Sequence, residues 1–433
     1  MPTPALGPAT TTKVMGLPIA TRLALLAGRT AASLSRKLGK GRGAQIGGKL
    51  AYRIRPRTLQ DLGAGRLTVL VSATNGKSTT AALLAAAVRT LGPTAFNATG
   101  ANMEEGIVVA LDENRTAPYA VLETDEAYLG VVVSATRPQV IVLMNLSRDF
   151  LERGVRAKKL AQHWRDTLRA IDWPCVVVAD ADDPLVAWSA RDYVNVVWVA
   201  GEDTFVSDAM VCRDCLTKLQ RADTGGDWRC PECGFHRPSP EWSLRDGVAV
   251  GPEDTVSLPS ALPGHAACVN ALFAVAASTA VGVTANDAAN AIATVENVDG
   301  RYAPHMVGDH TVRVLLAKNP ASWTESIETI REAAAQDPHR SIVLGMAGRG
   351  DGGGQDTAML WDAPFERLAR LSVTTAGSRG DELALRLLAA DVDARWAGDD
   401  VLGAIKAQPA GAVDLVANWP AFNAVLDQIG RGA

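Results

Sequence analysis

The residues best suited to chemistry form one short stretch, Ala73-Thr-Asn-Gly-Lys-Ser-Thr79. β-Forming residues precede it, and an Ala/Leu-rich segment typical of a helix follows. A glycine-containing turn between a strand and a helix presents backbone N–H groups and the positive end of the helix to a phosphate. Lys77 would reach the terminal phosphates of ATP, and the Ser78 hydroxyl would bind Mg²⁺. The candidate ATP-binding residues of this stretch are Thr74, Asn75, Gly76, Lys77, Ser78 and Thr79.

The stretch departs from the full P-loop consensus, because Val71 stands where the first glycine is expected. A chance Gly-Lys-Ser in a strand-to-helix turn is the alternative interpretation. The strand before the turn and the helix after it favour ATP binding.

Polar side chains also follow other candidate strands. Glu123 begins an acidic run after residues 119–122, and Asn145 ends the next candidate strand. Ligands of open α/β sheets bind at the carboxyl ends of the strands, so Glu123 is a candidate magnesium ligand or water-positioning acid. A solvated acidic turn is the alternative. Lys318 follows a later strand in the same way, and its alternative is an ordinary solvated lysine.

Four cysteines form a metal-binding pattern of two Cys-x-x-Cys pairs separated by fourteen residues. They are Cys212, Cys215, Cys230 and Cys233. This spacing predicts a Cys₄ zinc ribbon, in which four thiolates fill the coordination shell and leave a structural site. Disulfides are the alternative, which a reducing, ATP-using compartment disfavours. Cys175 and Cys268 lie in apolar runs and are interpreted as core thiols.

Helix and strand patterns alternate from residue 66 onward, and the strands are short, continuous apolar runs. Such strands predict a parallel α/β sheet covered on both faces. The pattern lapses around residues 205–240, as expected for an inserted zinc module, and a second βα series begins after a predicted hinge at residues 297–301. We therefore predict a basic N-terminal region (1–62), an ATP-binding central domain (63–297) and a C-terminal α/β domain (298–433).

Length and charge limit the classes of protein that fit. The chain has 433 residues and a net charge of −4, which gives no case for bulk nucleic-acid binding. No run is apolar enough to cross a bilayer. Residues 1–66 contain twelve Lys and Arg residues and a single acidic residue, Asp61. A signal peptide is disfavoured because Arg22 and Arg29 interrupt the apolar run. A helix packed on the ATP domain is one interpretation of this region, and contact with an anionic membrane or a polyphosphate substrate is another.

Several segments resemble the Mur ligases, which join amino acids to the peptidoglycan precursor through an acyl phosphate. The stretch 73–79 is similar to the P-loop of that family, and Asp180-Ala-Asp-Asp-Pro184 is similar to its Asn-Ala-Asp-Asp-Pro segment. Arg301 resembles the arginine at the junction to the C-terminal domain. The resemblance implies a P-loop central domain and a Rossmann-like α/β C-terminal domain, with Arg301 and Asn270 among the ATP-binding residues.

Three further features resemble the MurT-type branch of the family. They are the Cys₄ ribbon, Leu316-Ala-Lys-Asn-Pro320 and Gly354-Gln-Asp-Thr-Ala-Met-Leu-Trp-Asp362. This chain differs from the amino-acid-adding Mur ligases at two positions. No histidine follows Asn145 in the run to Arg153, where those enzymes usually carry a metal-binding one, and Ala267 replaces the first of two asparagines on the adenine-contacting helix.

The MurT-type resemblance implies the synthetase subunit of a glutamine-dependent amidotransferase. Such a subunit uses ATP and Mg²⁺ to amidate the α-carboxylate of D-glutamate in lipid II, and its partner is a class I amidotransferase of the GatD type. Glu123 and Lys318 would act in the synthetase reaction, while Asp356 or Asp362 would complete the partner's glutaminase site. The expected location is the cytoplasm, with peripheral contact at the inner face of the membrane. An amino-acid-adding ligase of the Mur or folylpolyglutamate type and a non-catalytic nucleotide-binding scaffold are the alternatives.

Overall fold

The structure is a computed structural model that describes residues 16–37, 44–97, 101–148, 157–201, 207–222, 226–258, 264–298, 304–348 and 357–432. Contacts divide it into two compact units. The first is drawn from residues 1–147, 157–261 and 267–295, and the second from residues 296–433 with the short segments 148–156 and 262–266. No described helix is both long enough and apolar enough to cross a membrane.

Strands in the described part of the first unit comprise a large sheet and a small hairpin. They are β1 (Leu67–Ser72), β2 (Thr94–Phe96), β3 (Tyr119–Glu123), β4 (Val140–Leu143), β5 (Val176–Asp180), β6 (Val196–Ala200), β7 (Gln220–Arg221), β8 (Trp228–Arg229), β9 (Trp242–Arg245), β10 (Val248–Val250) and β11 (Thr255–Ser257). Strands β7 and β8 form the hairpin, and the other nine form one sheet in the order β11-β10-β9-β6-β5-β4-β1-β3-β2.

The predicted parallel sheet is confirmed, since β2, β3, β1, β4, β5 and β6 all pair in parallel. The apolar runs 67–71, 119–122, 140–144, 175–179 and 194–199 predict five of these strands; β2 was missed because three residues carry too little pattern. Strand β9 also pairs in parallel with β6, and β10 is antiparallel to both β9 and β11; these three strands were also missed. The strand predicted from Val194 begins at Val196, because Val194 is fully exposed.

Helices cover the sheet of the first unit. They are α1 (Ile19–Lys37), α2 (Ala44–Ile54), α3 (Thr58–Gly63), α4 (Lys77–Val88), α5 (Glu104–Glu113), α6 (Leu129–Thr136), α7 (Ala157–Arg169), α8 (Pro184–Ala190), α9 (His265–Ala280) and α10 (Ala285–Ile292). Helix α4 is buried almost all round, as its continuous Ala/Leu composition requires.

The N-terminal helices share the core of this sheet. Leu25, Leu59 and Leu62 belong to the same apolar cluster as Leu70 of β1. Helices α1 and α2 approach closely at a pair of glycines, where a Cβ added to Gly28 would lie 2.4 Å from a backbone oxygen of α2. The described part of the basic N-terminal region is thus packed onto the central sheet.

Strands and helices alternate in the second unit. They are β12 (Pro304–Val307), β13 (His310–Leu316), α11 (Pro320–Gln336), β14 (Ser341–Gly345), β15 (Ser372–Ala376), α12 (Gly380–Leu388), β16 (Asp393–Trp396), α13 (Val401–Lys406), β17 (Gly411–Ala417) and α14 (Trp419–Gly432). The strand order is β12-β13-β17-β14-β15-β16, and β12 alone of these six strands is antiparallel to its neighbour. Asp414, buried in β17, binds Arg313 and Arg340 at 2.7 and 2.9 Å, so the buried carboxylate is paired.

Candidate active site

The phosphate loop joins β1 to α4, and its shape depends on Gly76. This residue has φ +83°, in the left-handed region that favours glycine. A Cβ here would also lie 2.4 Å from Oδ1 of Asn270. The first-turn N–H groups of an α-helix have no intrahelical acceptors, and Gly76 supplies no side-chain cap to those of α4. The arrangement is suited to binding an anion at that end of the helix.

Asn145, two residues beyond the end of β4, holds the loop from the side of the neighbouring strand. Its backbone oxygen accepts the N–H of Thr74 at 2.9 Å, and its Oδ1 accepts the N–H of Asn75 at 2.9 Å. Its Nδ2 donates to the backbone oxygen of Asn75 at 3.1 Å. Two loop N–H groups are therefore used by the scaffold. Thr74 and Asn75, both predicted to bind ATP, brace the loop here.

Lys77 is buried and folds back over its own loop. Its Nζ donates to the backbone oxygen of Ala73 and lies 2.9 Å from a carboxylate oxygen of Glu126. Burial lowers the pKa of Lys77, but the negative charges of Glu126 and Glu123 outweigh it, so the net pKa lies above its ordinary value. Lys77 is thus a fixed cation at the phosphate loop.

Glu123 is the last residue of β3 and lies directly beside the loop. It pairs in register with Val71, which immediately precedes Ser72 and the turn. The residue is buried, and one carboxylate oxygen accepts from Nδ2 of Asn102 at 3.1 Å. Asn97 holds the Glu123 backbone, accepting its N–H at 2.8 Å and donating to its oxygen at 2.9 Å. The Glu123 carboxylate is consequently oriented and placed at the edge where nucleotide ligands bind.

The remaining predicted ATP-binding side chains of this unit also meet at the loop. Ser78 and Thr79 are buried in the first turn of α4. Asn270 is buried on α9, and its Oδ1 accepts the hydroxyl of Thr80 at 3.2 Å. Residues far apart in the chain therefore hold one phosphate cradle. A carboxylate and a hydroxyl are ligands suited to Mg²⁺, so Glu123 and Ser78 fit a magnesium site in donor chemistry.

The four predicted zinc ligands lie together. The Sγ atoms of Cys212, Cys215, Cys230 and Cys233 are all within 4.8 Å of one another. Two pairs are 3.5 and 3.3 Å apart. A disulfide bond is about 2.0 Å long, so these cysteines are not bonded to each other. Zinc–sulfur bonds of about 2.3 Å in a tetrahedron separate the sulfurs by about 3.8 Å, which fits this cluster.

The cysteine module is docked on the sheet by polar contacts. The indole N–H of Trp228 donates to the backbone oxygen of Ala181 at 3.0 Å, and Arg237 pairs with Asp182 at 2.6 Å. Asp182 belongs to the acidic segment that follows β5, which the sequence had linked to the family motif. Asp183 of that segment caps α8 and accepts the N–H of Leu146 at 2.8 Å. These carboxylates have scaffold roles.

Of the two cysteines predicted to be core thiols, Cys175 is buried and Cys268 is half-buried. Cys175 is buried, and burial raises the pKa of its thiol to about 12. It therefore stays protonated at neutral pH, as expected of a core thiol.

The C-terminal candidates lie in the second unit. Lys318 is half-buried just after β13, and its N–H donates to Ser322, which forms a capping box with Asn319 at the start of α11. Asp362 ends a 3₁₀ helix, Thr357–Asp362, and pairs with Arg148 at 3.0 Å. Arg301 and Asp356 lie outside the described residues, as does part of the predicted hinge.

Two site residues were missed as such by the sequence. Glu126 stood in the acidic run, yet Glu123 was chosen because it directly follows the strand. No sequence motif includes Asn102. The signal for Glu126 was its charge three residues beyond the strand end, where a turn can bring a carboxylate back toward the loop.

A parallel sheet whose central strand leads into a glycine turn, a buried lysine and a helix N-terminus defines a protein of the P-loop nucleotide-binding class. A family model of the Mur ligase middle domain matches residues 71–278, and one of the MurT ligase C-terminal domain matches residues 316–422. The chain belongs to the Mur ligase family of ATP-dependent ligases, with a C-terminal domain of the MurT type. The family resemblance is confirmed.

Curated relatives extend the similarity over most of the chain. The MurT subunit of lipid II isoglutaminyl synthase from Streptococcus pneumoniae is 28% identical over 394 residues, covering 85% of this chain and 86% of that protein. Its counterpart from Staphylococcus aureus strain N315 is 25% identical over 389 residues, covering 84% and 87%. A UDP-N-acetylmuramate–L-alanine ligase from Mycobacteroides abscessus is 25% identical over 299 residues, covering 67% and 56%.

Solved structures share the fold. A pseudomurein peptide ligase type C from Methanothermus fervidus matches with a TM-score of 0.64 and 16% identity, covering 85% of this chain and 79% of its own. The MurF ligase from Thermotoga maritima, solved with ADP, matches with a TM-score of 0.60 and 15% identity, covering 88% and 85%.

Proposed function

We propose that this chain is the ATP-dependent synthetase subunit of a glutamine-dependent amidotransferase acting on lipid II. The reaction would convert the α-carboxylate of D-glutamate in the stem peptide to the amide of D-isoglutamine. The observation that carries the proposal is the joint presence of a braced phosphate loop and a MurT-type C-terminal domain in one chain. The two MurT relatives, similar over 84–85% of this chain, support the choice of substrate.

The chemistry requires activation before amide formation. A carboxylate oxygen would attack the γ-phosphorus of ATP, giving an acyl phosphate and ADP. Ammonia would then attack the acyl carbon, and phosphate would leave with the electron pair of the broken C–O bond. Phosphoryl transfer of this kind depends on positioning and on neutralising negative charge.

The residues of the phosphate loop fit that demand. The raised pKa of Lys77 keeps it charged at neutral pH, and the α4 N-terminus adds partial positive charge. Ser78 and Glu123 would hold Mg²⁺, which supplies further charge neutralisation between the phosphates. In this proposal Arg301 and Lys318 contribute cations from the C-terminal part of the chain, and Asn270 contributes to nucleotide binding from α9.

Zinc is proposed as a structural ion. Four thiolates would complete its tetrahedral shell, which leaves no position for a reacting water. The polar contacts of Trp228 and Arg237 then fasten the module beside β5 and α8. Zinc would stabilise this module and take no part in amidation.

Ammonia is proposed to come from a GatD-type glutamine amidotransferase. The relatives are named as subunits of a glutamine-hydrolysing enzyme, which supports a two-chain complex. In that complex Asp356, or Asp362 as second choice, would orient the histidine of the partner's glutaminase site. Lipid II resides in the membrane, so the complex would work in the cytoplasm at the inner face of the bilayer.

The central experiment is amidation by the reconstituted complex with lipid II, ATP and glutamine, followed by mass spectrometry of the stem peptide. Amide formation that requires all three supports the proposal. Addition of an amino acid to the same substrate would instead support an amino-acid-adding ligase, the reading favoured by the similarity to the L-alanine ligase. Nucleotide binding with neither product would indicate a scaffold.

The aspartate assignment has its own test, Asp356→Asn. An asparagine caps a helix well, but its amide cannot stabilise an imidazolium as a triad aspartate does. We expect glutaminase activity to fall at least about 100-fold while complex formation and thermal stability stay unchanged. Full glutaminase activity in this variant would transfer the role to Asp362.

A further inference from the structure

Helix α1 carries an apolar stripe on the face opposite its packed face. The packed face holds Leu25, Gly28 and Ala32, spaced three and four residues apart. The opposite stripe, called the outer stripe below, repeats at the same helical spacing and remains in contact with solvent. Its members are Ile19, Leu23, Leu26 and Leu34, exposed by 75, 61, 60 and 59%. Within the described residues each of the four keeps more than half of its surface exposed.

An exposed stripe of this kind is unusual on a helix that already buries its other face. Single exposed leucines need no explanation, but four in helical register form a contiguous apolar surface. Thr30 stands at the one position of the register that the apolar residues leave open. Helix α1 thus has two apolar faces, one packed in the core and one available to a binding partner.

The charged residues near the outer stripe indicate which kind of partner would bind it. Helices α1 and α2 contain no acidic residue, and the first one in the whole chain is Asp61. Arg22 and Lys37 are exposed on α1, and Lys49 and Arg53 on α2. None of these four has an ion-pair partner within the part of the chain that the structure describes. A second copy of this chain would bring cations against cations at such a surface.

We propose that the outer stripe of α1 docks the protein on an anionic lipid bilayer. Leucine side chains would enter the boundary between head groups and acyl chains, while the neighbouring cations bind lipid phosphates. Arg and Lys side chains are long enough to keep their charges at the head groups while their stems cover apolar surface. The helix lies on the membrane and does not cross it, since it carries four charged residues and packs its other face into the core of the domain.

This inference deepens the proposed function, because a lipid-anchored substrate would be met at the same surface. It can nevertheless fail separately, since its test uses vesicles without substrate. Purified full-length protein is co-sedimented with vesicles of equal parts phosphatidylglycerol and phosphatidylcholine, and with vesicles of phosphatidylcholine alone. We expect binding to the first to exceed binding to the second by at least about tenfold at about 0.1 M salt.

The decisive variant is Leu23→Ser with Leu26→Ser. Its matched control is Leu385→Ser with Leu388→Ser on α12, where two leucines at the same spacing are exposed by 65 and 57%. The α1 variant should bind anionic vesicles at least about tenfold more weakly, with unchanged thermal unfolding, and the control should bind as wild type. Sedimentation velocity of the free protein accompanies both.

Three outcomes would overturn the proposal. Equal loss of binding in both leucine variants would show that the outer stripe is not the docking surface. Binding that ignores lipid charge and persists in about 1 M salt would remove the role of the cations. Self-association that the α1 variant abolishes would assign the stripe to a second copy. Amidation of detergent-solubilised lipid II remains a separate readout, so a failure here leaves the synthetase proposal standing.

Discussion

The phosphate loop and the four-cysteine cluster belong to the same unit but are assembled over very different stretches of chain. Asn270 reaches the loop from 190 residues away, and Asn145 braces it from a neighbouring strand. The cysteine cluster closes within 21 residues. A site built from distant elements needs the whole sheet to be folded first. A local cluster needs only its own turns and a metal, so damage to it should stay local.

The largest expected effect is at the loop. Lys77→Ala removes the main fixed cation beside the phosphates, and we expect amidation to fall at least about 1000-fold. Removing Lys77 also takes away the cation that faces the buried Glu126 carboxylate, so the free energy of unfolding should fall by about 3–5 kcal/mol, and activity is compared at a temperature where both proteins are folded. The measurement is amidation by the reconstituted complex alongside calorimetry. Near wild-type turnover would remove this loop from the mechanism.

A substitution in the cysteine cluster should affect local structure more than amidation. Cys230→Ser is expected to lower bound zinc from one ion per chain to none and to open residues 207–240 to proteolysis. Amidation should fall far less than in Lys77→Ala, because a closed Cys₄ site supplies structure only. Cys175→Ser, a buried thiol outside the cluster, is the control that should keep its zinc. Protein purified under reducing conditions and free of zinc would contradict the assignment.

A smaller effect is expected at the carboxylate that faces Lys77. Glu126→Gln keeps a hydrogen-bond acceptor but removes the negative charge that holds the pKa of Lys77 above its ordinary value. The raised pKa keeps Lys77 charged, so its ion pair with Glu126 contributes fully to the stability of the fold at pH values below the ordinary pKa of a lysine. That contribution is lost as the pH rises through the raised pKa of Lys77. In the variant the largest of the charges that raise the pKa of Lys77 is gone while the burial that lowers it remains, so the pKa falls and ATP affinity should decline toward alkaline pH.

The test is ATP affinity by calorimetry across neutral to alkaline pH, where we expect a loss of about tenfold in the variant at the alkaline end. Glu113→Gln, an exposed carboxylate on α5, is the matched control. An identical pH profile in wild type and Glu126→Gln would show that Glu126 does not set the charge of Lys77.

The smallest effect concerns the brace of the loop. Asn145→Ala leaves the N–H of Asn75 without its acceptor, which should lower the free energy of unfolding by about 1–3 kcal/mol. ATP binding should weaken while zinc content stays at its wild-type value. Chemical denaturation and metal analysis on one preparation check both. A coupled loss of zinc would mean that the two regions are less independent than their contacts indicate.

Much of this molecule was predictable because its signals are local. Apolar runs at strand length identified most of the strands of the parallel sheet, and the spacing of the cysteines identified their cluster. The helix after Gly76 followed from its Ala/Leu composition. Strand β2, with three residues, and strands β9 to β11 were not predicted, because their formation depends on pairing with a neighbour that the sequence does not show.

The sequence by itself determined the residue types that can bind phosphate and metal, since backbone turns and ligand spacing are encoded over a few positions. Only the tertiary structure decided which side chain each of them meets. Lys77 faces Glu126, the loop N–H groups of Thr74 and Asn75 go to Asn145, and α1 keeps a second apolar face in solvent. The physical reason is that such contacts join residues tens to hundreds of positions apart, and burial and pairing there depend on how the packed elements meet.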